Sequence, residues 1–190
     1  MNKNYFFIGL LLTSGILLSF SGNDHAAKVR KFSKNYHRLD SSGSPGGKTG
    51  APGDGTCTQC HSGTVQSGSG FNTVQLTQGG NPVTEYQPGT TYQVVVSMAT
   101  NNPKNGFEIL ALSPSNTVAG TVAITDATHT KTITSGGKTR VTHKSAGNTL
   151  TTWTYNWTAP ATNVGTVTFY LATNQTNSSN SDSGDIIRTS

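Results

Sequence analysis

Cys57-Thr58-Gln59-Cys60-His61 is the stretch whose residue types and spacing could do the most chemistry, and it holds both cysteines of the chain. The C-x-x-C-H order is that of a covalent c-type haem attachment site. Two thiols three positions apart can each add across a vinyl group of one porphyrin. The histidine directly after them is then held beneath the iron, where an imidazole nitrogen is an axial ligand. The spacing therefore predicts one covalently bound haem c, with Cys57 and Cys60 as thioether carriers and His61 as proximal iron ligand. The alternative is a short Cys57–Cys60 disulfide with His61 as a bystander, since exported thiols tend to oxidise. A zinc site would need four ligands where the cluster offers three. A thioredoxin-like pair would need a βαβ setting that is missing around it.

A second axial ligand would come from His25, His37, His129, His143 or Met98. His143 is the expected distal ligand, because it sits at the end of a predicted strand and enters the loop 144–148. Such a strand-end side chain can reach a group held by a neighbouring loop. Met98 falls on the apolar face of a strand and is expected in the core. His129 follows a predicted turn, and His25 and His37 lie on an N-terminal arm. An open sixth position, free for a small ligand, is the alternative to His143 ligation.

The elements that must position these residues are a loop and a set of strands. Residues 41–70 are rich in glycine, proline and serine, which forbids a long helix or a central strand there. Gly43 to Thr49 lacks the spacing and the strand–helix context of a phosphate loop. From Phe71 onward the pattern has period two, interrupted by turn residues. Predicted strands cover 71–77, 92–98, 107–112, 118–124, 130–134, 138–143, 153–157, 166–171 and 185–188. Trp153, Tyr155 and Trp157 share one face and are expected in the core. Short strands with regular turns predict an all-β, Ig-like antiparallel sandwich fronted by a Gly/Pro-rich haem-attachment loop.

Of 190 residues, only 11% are charged. Residues 1–22 have the pattern of a secretory signal peptide: Lys3, an apolar run from Tyr5 to Phe20, then Ser21 and Gly22. That run is shorter than the ~20 residues of a spanning helix, so no transmembrane segment is expected after cleavage. The net charge of +5 comes largely from a basic arm at 23–40, because residues 41–190 are almost neutral. Without a basic stripe on the folded part, nucleic-acid binding is not expected. The expected organisation is signal peptide 1–22, arm 23–40, loop 41–70 and sandwich 71–190, with 41–190 forming one domain.

Several segments together resemble a known family. They are Gly50-Ala51-Pro52-Gly53 leading into Cys57–Gly63, Gly106–Leu112, Val141–Gly147, Trp157-Thr158-Ala159-Pro160, Gly165–Tyr170 and Ser183-Gly184-Asp185. Residues 41–190 are in this respect similar to the bacterial Reeler-like, or choice-of-anchor V, domains of secreted proteins. The resemblance implies an Ig-like sandwich, an extracytoplasmic location and a haem-binding C-x-x-C-H loop. The expected function is that of an exported, periplasmic or secreted monohaem protein in electron transfer, serving a redox partner protein and not acting as an enzyme. The alternative is an adhesion or ligand-binding module with a Cys57–Cys60 disulfide and no haem.

Overall fold

The computed structural model describes residues 40–179 and 181–190. The expected signal peptide, His25, His37 and all of the basic arm except Asp40 lie outside them. The described residues form eleven strands in two stacked sheets. In chain order they are β1 (Val65–Ser67), β2 (Asn72–Gln78), β3 (Asn81–Val83), β4 (Thr91–Met98), β5 (Lys104–Leu112), β6 (Thr121–Ala123), β7 (Thr130–Ser135), β8 (Lys138–His143), β9 (Thr152–Thr158), β10 (Thr168–Thr176) and β11 (Ile186–Thr189). One sheet has the order β1-β11-β10-β5-β8-β7, the other β3-β2-β4-β9-β6. The chain is thus the expected all-β sandwich. Every strand pairing is antiparallel except β1 with β11, which is parallel.

Alternation drives the second sheet. Tyr92, Val94, Val96 and Met98 point inward from β4, and Trp153, Tyr155 and Trp157 point inward from β9. They meet Phe107, Ile109 and Ala111 of β5, Val141 of β8 and Leu171 of β10. Full burial of a large apolar side chain is worth ~1.5–3 kcal/mol, so this cluster is the main source of stability. Trp157 is fully buried and its indole N–H donates to the Ala119 carbonyl at 2.8 Å. The aromatic stripe and Met98 are therefore core residues, as their spacing predicted.

β5 differs from the other strands because both its faces are covered. Its Phe107, Ile109 and Ala111 enter the core. Its even-numbered residues, Gly106, Glu108, Leu110 and Leu112, lie beneath the loop that precedes β1. Ala51 packs on Leu110 and Leu112, and the Lys48 N–H donates to Glu108 Oε1 at 3.0 Å. A strand buried on both faces has a nearly continuous apolar run, as Ile109 to Leu112 does.

The loop is fastened by polar contacts. Arg140 on β8 donates from Nε to Asp54 Oδ2 at 2.9 Å and from Nη2 to Asp54 Oδ1 at 2.5 Å. Its Nε also lies 3.3 Å from Glu108 Oε1. All three side chains are at most 3% exposed. Burial pushes the Asp54 carboxyl up, but its bonds from Arg140 and Thr49 and the nearby positive charges hold it below its ordinary range.

Candidate functional site

The C-x-x-C-H motif opens with a 3-10 turn, Cys57–Gln59, capped by Cys60 and followed by His61, just after the Arg140–Asp54 anchor. The Cys57 carbonyl accepts from the N–H groups of Cys60 at 3.1 Å and His61 at 2.9 Å. This turn returns both cysteines and His61 to one side of the loop. All three line a cavity of about 480 Å³. Its other walls come from the start of β5, the end of β8, the end of β10 and the segment leading to β11. His143, Gly106, Glu108, Asn174 and Asp185 are among them. The structure therefore brings the four sequence-predicted residues, Cys57, Cys60, His61 and His143, to one cavity.

His61 is held from behind. Its Nδ1 lies 2.6 Å from Oδ2 of Asp185, whose side chain is 1% exposed. The other oxygen of Asp185 accepts from the Asn177 N–H at 3.0 Å. The Asn174 amide nitrogen approaches both ring nitrogens at 3.1 Å and Asp185 Oδ2 at 3.4 Å. A carboxylate at Nδ1 requires the ring to donate there, so the neutral imidazole keeps its lone pair on Nε2. This is the carboxylate–histidine arrangement that orients metal-binding imidazoles and raises their basicity.

His143 is held differently. β8 pairs with β5 only at Glu108–Thr142 and Ile109–Val141. Beyond that point two side chains take over from the backbone ladder. Thr142 Oγ1 donates to the Phe107 carbonyl at 2.6 Å, and His143 Nδ1 accepts the Phe107 N–H at 3.2 Å. Glycines make room on both sides. A Cβ at Gly106 would stand 2.5 Å from His143 Cε1, and one at Gly43 only 2.1 Å from the His143 carbonyl oxygen. Gly43 also has φ +108°, a conformation disfavoured for any side chain. Burial depresses the His143 pKa to about 4, so the ring is neutral at physiological pH.

The two cysteines are free thiols. Burial, followed by the Glu108 carboxylate, pushes the Cys57 thiol up to about 12. Glu108 Oε2 and Asn174 Oδ1 are buried without a hydrogen-bond partner. Met98 is in the core, and His129 is paired with Asp126 at 2.6 Å. Asp182 and Asp185 contact Ser62 and His61. Among the described residues no group of three His, Cys, Asp or Glu side chains could hold a bare metal ion. A haem asks less of the protein: two thiols and one axial imidazole on a cavity of cofactor size, about 300–1,000 Å³. The residues present fit that group.

Residues 56–179 match the Reeler domain family. The chain belongs to it. The human F-spondin reeler domain (fragment 1) is 25% identical, with TM-score 0.51 over 66% of this chain and 85% of that one. The Reelin-N domain of F-spondin is 28% identical, with TM-score 0.51 over 66% of this chain and 82% of that one. No curated protein matches the chain. The Reeler match takes in Cys57, Cys60, His61 and His143 but ends before Asp185. Among the described residues no helix is long and apolar enough to cross a membrane.

Proposed function

We propose that the cavity holds one haem c, carried by Cys57 and Cys60 and ligated by His61, in an exported protein that passes electrons to a redox partner. The observation that carries this reading is the meeting of both thiols with an imidazole whose Nδ1 is already committed to a buried carboxylate. The haem supplies a one-electron iron couple. The chain's residues bind it, orient it and set its surroundings. Asp185 fixes the His61 ring and makes it a stronger donor through Nε2. Gly106 and Gly43 let His143 stand in the wall of the cavity. The raised pKa of Cys57 keeps its thiol protonated, which slows oxidation to a disulfide, since the thiolate is the reactive form. The Reeler fold, a module of extracellular proteins, supports a role outside the cytoplasm.

A pyridine haemochrome spectrum, with intact mass, on protein from the native host tests the proposal. A c-type band and the mass of one added haem are expected. A colourless protein two protons lighter than the reduced chain would leave the second reading, an extracellular Reeler binding module. Family membership favours that reading independently of the motif.

A further inference from the structure

We infer that His143 does not ligate the iron but presents its Nε2–H to a small, neutral, hydrogen-bond-accepting ligand in the cavity. This inference rests on the haem reading above and names what the remaining axial position is for. The geometry at Phe107 decides it. The Phe107 N–H points at His143 Nδ1 at 3.2 Å, so Nδ1 must offer a lone pair. Thr142 Oγ1 lies farther from the same nitrogen, at 3.5 Å, and gives its hydrogen to the Phe107 carbonyl at 2.6 Å while taking the Ser44 N–H at 3.1 Å, so the nearer Phe107 N–H sets the tautomer. A neutral imidazole with a lone pair on Nδ1 carries its proton on Nε2. A nitrogen bearing that proton has no lone pair for a metal.

His61 and His143 thus have opposite tautomers on one cavity. At His61 a buried carboxylate draws the proton to Nδ1 and leaves the lone pair on Nε2, which the Asn174 amide nitrogen approaches at 3.1 Å. At His143 a backbone donor drives the proton to Nε2. No described residue accepts from His143 Nε2, and His143 lines the cavity. The hydrogen is therefore available to whatever binds there. Other described ligands are committed elsewhere: Met98 to the core and His129 to Asp126. The charge on the wall selects the ligand class. Glu108 is fully buried, and its Oε2 has no partner. Asp40 and Asp185 on the same wall are offset by Lys48 and Lys104, so the lining has no net positive charge to hold an anion, and a neutral diatomic such as carbon monoxide, nitric oxide or dioxygen fits better.

Two measurements test the inference. In the unloaded full chain, ¹⁵N shifts of the His143 ring are expected to show the Nε2–H tautomer; an Nδ1–H tautomer would overturn the proposal. In the haem-loaded protein, the ferrous form is expected to be five-coordinate and high-spin and to bind carbon monoxide directly. His143→Leu should keep that coordination state and raise the C–O stretching frequency, because a donor has gone. Because His143→Leu also removes the acceptor of the Phe107 N–H, the wild-type spin state stands as a test on its own. A six-coordinate low-spin wild type overturns the inference, whether or not His143→Leu frees the site, and leaves the haem reading intact. A chain that never takes up haem fails earlier, as a colourless protein, and removes both.

Discussion

Arg140→Met should destabilise the domain by about 3–5 kcal/mol, the range for removing one partner of a buried ion pair. Methionine keeps much of the volume of the side chain, so the loss is mainly electrostatic. Arg140 gives Asp54 two charge-assisted bonds, at 2.9 and 2.5 Å, and stands 3.3 Å from Glu108. Its Nη1 also donates to the carbonyls of Ser135 and Lys138, each at 2.8 Å. Without it two carboxylates remain beneath the loop with no cation between them. At ~2–4 °C of Tm per kcal/mol for a domain of this size, melting should fall by about 10 °C. Urea denaturation at neutral pH, with an unchanged m value, measures the loss. Arg140→Met/Asp54→Asn should recover part of it, because one orphaned charge is removed, with a coupling of ~0.5–3 kcal/mol. Because Asp54 anchors the turn that carries the motif, Cys57 should also react faster with a thiol reagent in the single variant. A loss below about 1 kcal/mol, in the range of exposed pairs, would refute this account of how the loop is held.

Asp185→Asn in the haem-loaded protein should raise the midpoint potential, because the amide is a weaker acceptor for the His61 Nδ1–H; spectroelectrochemistry reads the change, and an unaltered potential counts against the orienting role. Stability should fall as pH drops from 6.5 to about 4. In that window the unfolded chain takes a proton on His143 that the folded chain refuses. The loss approaches ~3 kcal/mol below pH 4, and denaturation curves of a His143→Gln variant should lack this slope. Gly43→Ala should cost at least ~1–3 kcal/mol, because its Cβ would meet the His143 carbonyl at 2.1 Å on a backbone with φ +108°; thermal melting near wild type would show that the loop can move away.

The strands with an apolar stripe were legible because burial imposes a period of two, as β4 and β9 show. The C-x-x-C-H motif was legible because it is local: five consecutive residues contain it. Other features depend on partners far along the chain. β1 is exposed at all three residues and pairs only through its backbone with β11, so no side-chain pattern marks it. β3 occupies a segment whose Gly79, Gly80 and Pro82 predicted a turn. β5 begins at Lys104, inside the predicted turn 101–106, because Asn105 and Gly106 pair with β10 despite their turn-forming character. Asp185 lies 124 positions from His61, and neither the family resemblance of Ser183-Gly184-Asp185 nor the predicted strand 185–188 names the side chain it meets. Arg140 is one of seven basic residues in an almost neutral region, and counting cannot tell a buried cation from an exposed one.

The end of β10 shows why these failures collect around the cavity. Its final residues, Thr173 to Thr176, are polar, and a strand predicted from apolar alternation stops at Leu171. Yet Thr173, Asn174 and Gln175 are all buried, and the ladder with β5 continues to Thr176–Lys104. The outer face of a sandwich sheet usually meets water, and polar residues there need no further partner. Here residues 40–64 cover that face, so Glu108 and Asn174 lose solvent and must be matched from within. Part of the match is complete, through Arg140, Lys48 and Asp185. The remainder, Glu108 Oε2 and Asn174 Oδ1, is buried without a partner, on two residues that line the cavity. An unpaired buried acceptor costs ~1–3 kcal/mol. A chain that retains two of them beside the attachment motif has given up stability at the place where the proposed haem and its small ligand would bind, and that is where sequence patterns tuned to stability lose their force.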